Sequence, residues 1–346
     1  MAQTPDALSL GPDGYSRFFV IVGILEHLYK KRTRPVRILD IGGCSPYLGE
    51  LLEKSPLKTE LTILDILPQP ADVTAKYIQT DATKTDMPDG AFDVVVSTDT
   101  LEHVTPKLKD DFVRACLRLA KDVCIIAAPF ETPGVHHAEI MVNDFNKKLF
   151  GVGQDWLEEH FEFKKPNLAT TEATIKKTGA SYVHFGTNNI YSWLFSAHLN
   201  LIEAKIGIDA KKSRAIKRHY NRLLAFSPEL TDPSYRHFFV VYNNKELGKQ
   251  ADVPGTLTDT LEPETLLRYM HDMLAAVTDR LIELSDHSKS AIQKGVYQEQ
   301  QIIIQKAKIE ELERELKDLG PVRHLGKLRH PRRVAQAIKR RIKRTR

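Results

Sequence analysis

Cysteine is scarce in this chain: Cys44, Cys116 and Cys124 are the three among 346 residues. A small odd number at irregular spacing argues against a disulfide framework and fits a reducing compartment. No CxxC pair occurs, and no metal ligand set is read from the spacing of Cys or His. Long apolar runs are missing too. The run Phe18–Leu25 is too short to span a bilayer. The first residues have no cationic start of the kind a secretory signal carries. The expectation is a soluble, cytoplasmic protein, with room for peripheral attachment to the inner membrane face.

Acidic residues are absent from one stretch. Residues 321–346 hold eleven Lys or Arg and no Asp or Glu. Setting those eleven against the total of +5 leaves residues 1–320 at −6. The body is mildly acidic and the tail is a cationic block, which points to an anionic partner for the tail. Val334, Ile338 and Ile342 recur every four residues there, so a helix would carry a narrow apolar stripe flanked by cations. That arrangement suits an interfacial helix on anionic lipid. Aromatics are too few in the tail to support base stacking, which ranks nucleic acid below a membrane.

What is present in the body is an alternation of short apolar runs and helical stretches. Val36–Ile41, Leu61–Leu67, Tyr77–Thr80, Phe92–Ser97 and Val123–Ala128 read as strands. Residues 14–32, Leu48–Glu53 and Asp110–Ala120 read as helices between them. Strands of this length alternating with helices predict βαβ units on a parallel sheet. Continuous rather than alternating apolar runs predict burial on both faces. The fold class is therefore α/β, a Rossmann-like doubly wound, mostly parallel sheet. Residues 129–180 read as an irregular region, Ile190–Ile206 and Lys211–Phe226 as helices, and Tyr235–Tyr242 as a late strand. This gives a catalytic domain at 1–248 and a Pro- and Gly-bearing linker at 249–263, before a helical region at 264–319 and a basic tail at 320–346. In the helical region Leu267, Met270, Leu274, Val277, Leu281 and Leu284 fill successive a and d positions. After a weak middle, Ile302, Ile309, Leu312, Leu316 and Leu319 resume in phase. A coiled coil that makes a homo-oligomer is expected; two amphipathic helices folded onto the body are the alternative.

The chemistry is concentrated at strand ends. Asp40 closes the first strand and leads into Gly42-Gly43, where a backbone without Cβ atoms can approach a nucleotide-like ligand. Asp65 closes the second strand, 25 residues on, where a carboxylate can accept from both hydroxyls of a ribose. Asp81 follows the third strand, and Asp99-Thr100-Leu101-Glu102-His103 follows the fourth. Taken singly, Asp40 could be a helix cap and Asp65 a turn residue.

The ordered set, Ile38-Leu39-Asp40-Ile41-Gly42, an acid ending the second strand, Asp81-Ala82-Thr83 and Phe92 to Val104, resembles the class I S-adenosylmethionine (SAM)-dependent methyltransferases over about residues 36–130. The resemblance implies SAM as cofactor. It implies Asp40, Gly42 and Gly43 at the methionine end, Asp65 with Ile66 at the ribose, Asp81 and Ala82 at the adenine, and Asp99 and Leu101 near the sulfonium. Gly43-Cys44-Ser45-Pro46 departs from the family's usual glycine-rich turn. His136, His137 and Glu139, just past the fifth strand, are the candidates for taking a proton from an alcohol acceptor; binding one another to hold the loop is the alternative. His103 is read as structural or as a SAM contact, and Trp156 as a core aromatic with a sugar platform as the alternative.

The stretch from Pro129 to about residue 168 resembles methyltransferases encoded with bacterial surface-polysaccharide enzymes. This implies a glycan or glycolipid-linked acceptor. The tail from Gly320 to Arg344 resembles C-terminal segments of bacterial glycosyltransferases and their partners, which implies a membrane-bound glycosyltransferase complex as its partner. Other readings are methylation of a small metabolite, lipid or terminal phosphate, and a SAM-binding coiled-coil scaffold without catalysis.

Overall fold

In the computed structural model, which describes residues 6–224, 233–249 and 263–318, the apolar runs assemble into one seven-stranded sheet. The strands are β1 (Val36–Ile41), β2 (Thr59–Asp65), β3 (Lys76–Gln79), β4 (Phe92–Thr98), β5 (Ala120–Pro129), β6 (Ser181–Asn189) and β7 (Ser234–Tyr242). Their spatial order is β3-β2-β1-β4-β5-β7-β6. The first five are parallel, and β7 runs antiparallel to both β5 and β6. The chain winds outward from β1 to β3, then jumps back to place β4 on the other side of β1. Loops leaving β1 and β4 therefore diverge, which opens a crevice at the carboxyl ends of the strands.

Helices cover both faces of the sheet. On one face α1 (Pro12–Tyr29) and α2 (Tyr47–Lys54) bury Ile21, Ile24, Leu25 and Leu48 against Ile38, Val94, Val96 and Ile125. On the other, α3 (Lys109–Leu119) buries Phe112, Val113 and Cys116 against Leu39, Ile41, Val95, Cys124 and Ile126. Odd and even positions of the same strands serve opposite faces, which is why these strands are apolar throughout.

Residues 129–180, expected to be irregular, instead form α4 (Pro133–Phe150), α5 (Asp155–Phe163) and α6 (Leu168–Lys176). Helix α4 has Thr132 as its cap, accepting from Val135 N–H at 3.1 Å, Pro133 in the first turn, and Gly151 at φ 82° past its end. Its pattern was obscured because the buried face interleaves Glu139, Asn143 and Asn146 with Val135, Ala138 and Val142. β6 was also missed. It is an edge strand with one buried residue, Thr187, and its polar end shows no strand pattern.

Helices α7 (Ile190–Ile206) and α8 (Ala210–Leu224) follow β6, and the short α9 (Lys245–Gly248) follows β7. The last helix, α10, runs Pro263–Asp318. One compact unit ends at Leu281 and a second begins at Ile282. Within the first unit α10 buries Tyr269, Met273, Ala276 and Val277 against Leu199, Ile208 and Tyr220. That buried face takes only Val277 of the expected a/d seam, with Met270 partly buried beside it. Leu267, Leu274 and Leu281 of the seam are 63%, 46% and 51% exposed. In the second unit Leu284, Ile302, Ile309 and Leu312 are exposed as well. The linker, except for its two ends, and the basic tail lie outside the described residues, as does Leu319 of the seam. Among the described residues no helix is long and apolar enough to cross a membrane.

Candidate active site

The turn after β1 is shaped by its glycines. Gly42 has φ +80° and its N–H donates to the Leu64 carbonyl at 2.8 Å, tying the turn to β2. A Cβ on Gly42 would lie 2.1 Å from Thr100 Oγ1, and one on Gly43 would lie 2.1 Å from Asp40 Oδ2. Close approach is what these positions require, as the sequence suggested. Asp40 is buried, one of its carboxylate oxygens has no hydrogen-bond partner among the described residues, and burial raises its pKa to about 7, against a smaller opposing pull from Arg17.

A cavity of about 510 Å³ opens beside this turn. Gly42, Asp65, Ile66, Asp81, Ala82 and Asp99 line it. Asp65 accepts from Leu67 N–H at 2.8 Å with one oxygen. Asp81 caps the turn Ala82–Lys84, accepting from Thr83 N–H at 2.9 Å and from Lys84 Nζ at 2.9 Å. Leu101 is set apart: it is buried in the core between sheet and α3 rather than lining the cavity. Gly43 and Asp40 lie behind the wall, Asp40 supporting the turn from below.

A second cavity of about 440 Å³ adjoins the first and shares Asp99 and His103 with it. Asp99 has φ +50°, a conformation that costs a non-glycine residue about 1–3 kcal/mol and that surrounding contacts must enforce. Arg236 on β7 does so with two bonds, Nε to Oδ1 and Nη2 to Oδ2, both 2.7 Å, and Arg17 on α1 adds a third. Burial alone would raise the Asp99 pKa; Arg236 and then Arg17 outweigh it and hold the carboxylate ionised. Arg236 is itself buried and also donates to Asp13 at 2.8 Å.

On the far wall stand Glu102, His103, Trp156 and His160. Lys109 Nζ donates to the carbonyls of Leu101, Glu102 and Val104 at 2.7, 3.2 and 2.7 Å, which fixes the turn carrying Glu102 and His103. His103 Nδ1 lies 2.7 Å from Glu159 Oε2, and His160 Nδ1 lies 2.9 Å from Glu139 Oε1. Lys165 Nζ and Tyr235 OH also donate to Glu139, at 2.7 and 3.0 Å. Burial would raise the Glu139 pKa, but the bonds from His160 and Lys165 lower it on balance. Glu139 is therefore a buried, saturated acceptor that orients His160 rather than a free base.

The other expected proton acceptors are elsewhere. His136 and His137 are exposed on α4 and line neither cavity. His136 pairs with Glu131 at 3.7 Å and packs edge-on against Phe161. Helical phase explains this: Glu139 shares the inward face of α4 with Val135 and Val142, whereas positions 136 and 137 point away. The imidazoles actually at the cavities are His103 and His160. Trp156, read as a core residue, is 38% exposed at the second cavity, with its ring edge-on to His160 at 5.2 Å.

Residues 39–127 match the family model described as "Methyltransferase domain". No curated protein matches the chain. Among solved structures, the chain is similar to a SAM-dependent methyltransferase from Archaeoglobus fulgidus at 14% identity and TM-score 0.37, covering 65% of this chain and 94% of that one. It is similar to a magnesium protoporphyrin IX methyltransferase from Synechocystis PCC 6803, solved with S-adenosylhomocysteine, at 11% identity and TM-score 0.41, covering 67% and 85%. The segment that matches the methyltransferase-domain model, residues 39–127, is the parallel β1–β5 part of the Rossmann-like sheet. The first cavity fits the SAM that the sequence resemblance implies: it is bounded by Gly42, where no side chain could stand, by Asp65 at the end of β2 and by Asp81 just after β3.

Proposed function

We infer that the chain transfers a methyl group from SAM to a hydroxyl of a glycan or glycolipid-linked acceptor. The observation that carries this reading is the pair of adjoining cavities that share Asp99 and His103. Bound in the first, SAM supplies a methyl on a positively charged sulfonium. The chain's own part is alignment, since an in-line displacement gains most from holding donor and acceptor in register.

Each wall has a part in this. Asp65 accepts ribose hydroxyls, and the ionised Asp99, fixed by Arg17 and Arg236, faces the junction where positive charge is carried. The second cavity suits a polyhydroxyl acceptor. Carboxylates, an arginine pair and imidazoles provide hydrogen bonds in several directions, and the exposed face of Trp156 offers a surface for the apolar side of a sugar ring. His103 is the group at the junction able to accept the hydroxyl proton. Burial, and after it the neighbouring His160, depresses its pKa, so the ring is neutral near pH 7 despite the opposing pull of Glu159. The exposed seam of α10 supports self-association with a second copy, and the cationic tail supports docking to an anionic membrane or to a membrane-bound glycosyltransferase complex.

The direct test feeds isotope-labelled SAM and extracted surface glycan to the purified chain and reads the label in the sugar by mass spectrometry. Label on a sugar oxygen is expected, and its loss in His103→Ala but not in His137→Ala. Stoichiometric SAM binding with label appearing only on non-glycan acceptors would overturn the glycan assignment.

A further inference from the structure

Glu102 and His160, two groups of the second cavity beside His103, have no part in the methyl transfer proposed above. Glu102, His103 and His160 each offer one ligand-capable atom, and these atoms all lie within 4.8 Å of one another. Glu102 and His160 are 1% and 2% exposed. Glu102 Oε2 and His160 Nε2 have no hydrogen-bond partner among the described residues, and His160 Nε2 stands 4.0 Å from Glu102 Oε1. That distance is too long for a hydrogen bond. Two buried polar atoms without partners on neighbouring side chains are expensive, each costing about 1–3 kcal/mol, unless a bound group satisfies them.

The outer contacts say what that something is. Glu139 already accepts from Lys165 Nζ and Tyr235 OH, so its oxygens act as acceptors, and His160 places its proton on Nδ1 and leaves the lone pair on Nε2. The Nδ1 of His103 meets Glu159 in the same way. A carboxylate behind each imidazole is the arrangement that fixes the tautomer of a metal-binding histidine and raises its basicity. Charge agrees with this. Arg17, Arg236 and Lys165 are committed to Asp99, Asp13 and Glu139, and Glu102 has no Lys or Arg pair among the described residues.

We propose that Glu102, His103 and His160 bind a divalent first-row transition cation, such as zinc, manganese or iron, in a site open to the acceptor cavity. Two imidazoles and one carboxylate favour these ions over magnesium or calcium, which prefer all-oxygen shells. Metal–ligand bonds of about 2.0–2.2 Å set ligand atoms about 3–3.5 Å apart, so closing the triad takes a contraction of about 1 Å. Three protein ligands leave further positions for oxygens of the acceptor, and a cation there makes a bound hydroxyl more acidic; with the cation bound, His103 serves as a ligand and the acidified hydroxyl passes its proton to solvent, so His103 is the base only in the cation-free site. The acceptor class this adds is one with two neighbouring oxygens able to chelate, as in a vicinal diol. This second step rests on the proposed reading of the cavity; the cation site itself does not.

The test uses the full chain, stripped with a chelator and titrated with cobalt(II), read by visible absorption, and with zinc, read by calorimetry. One cation per chain is expected, with affinity at least tenfold weaker in Glu102→Gln and in His160→Gln and unchanged in His137→Ala. Circular dichroism of each variant separates ligand loss from unfolding, and a SAM titration runs on the same samples. The proposal is overturned if no stoichiometric cation binds, or if cation affinity is the same in both folded variants. SAM binding without cation binding removes this site alone; cation binding without SAM binding removes the methyltransferase reading and leaves the site standing.

Discussion

Asp40 illustrates how one residue's burial becomes a measurable property. In the folded chain it stays protonated up to about pH 7, whereas an unfolded aspartate loses its proton near 3.8. The folded state therefore binds the extra proton. The stability that follows is full below pH 3.8 and is lost as pH rises through about 7. Thermal unfolding between pH 5 and 8 should show the wild type losing stability relative to Asp40→Asn across this interval; parallel curves would mean Asp40 is already ionised. Because SAM is cationic, its affinity should rise over the same interval in the wild type and stay flat in the variant. Asp65→Ala tests the neighbouring strand end. Loss of hydrogen bonds to a charged acceptor should weaken SAM binding by about 1–3 kcal/mol in calorimetry, and an unchanged affinity would misplace the ribose.

The same residues explain what could be read beforehand. Asp40 and Asp65 were legible because they end strands, and Asp81 and Asp99 because each follows one within two residues, so chain order already puts them on one edge. The second cavity was not. Arg236 and Asp13 are 223 positions apart, and Arg236 stands in a strand beside Phe238 and Phe239, where sequence alone offers no reason to mark a charge as functional. His160 was visible only as one polar residue in a stretch read as irregular; its significance comes from α4 bringing Glu139 against it.

At the scale of elements, α10 holds two apolar faces that one heptad reading merged. Tyr269, Met273 and Ala276 face α7 and α8, whereas Leu267, Leu274 and Leu281 face outward. The a/d spacing marked the outward set because leucines dominate it, and the inward set includes Tyr and Ala, which contribute little to such a pattern. The two faces should separate on mutation. Met273→Ala opens a cavity in a packed contact and should cost about 2–5 kcal/mol in denaturant unfolding. Leu274→Ala, one position along, should cost well under half of that in a monomer but weaken any self-association measured by sedimentation. Equal losses of stability with no change in mass would show that the outward face has no partner.

For the molecule as a whole, the distribution of charge sets the terms. An acidic body of −6 linked to a tail of eleven cations is repelled and attracted by the same anionic surface. Each Lys or Arg near an anionic leaflet contributes about 1 kcal/mol, so eleven concentrated in 26 residues outweigh a net −6 spread over the other 320. Removing residues 321–346 should therefore abolish sedimentation with phosphatidylserine vesicles while leaving methyl transfer to a soluble acceptor intact, because every residue assigned to the two cavities precedes the tail. Raising the salt from 50 mM to 500 mM should release the full-length chain from the same vesicles. Release by truncation but not by salt would make the contact chiefly apolar, through Val334, Ile338 and Ile342. Vesicle binding that survived truncation would move the membrane contact onto the body, where the net charge opposes it.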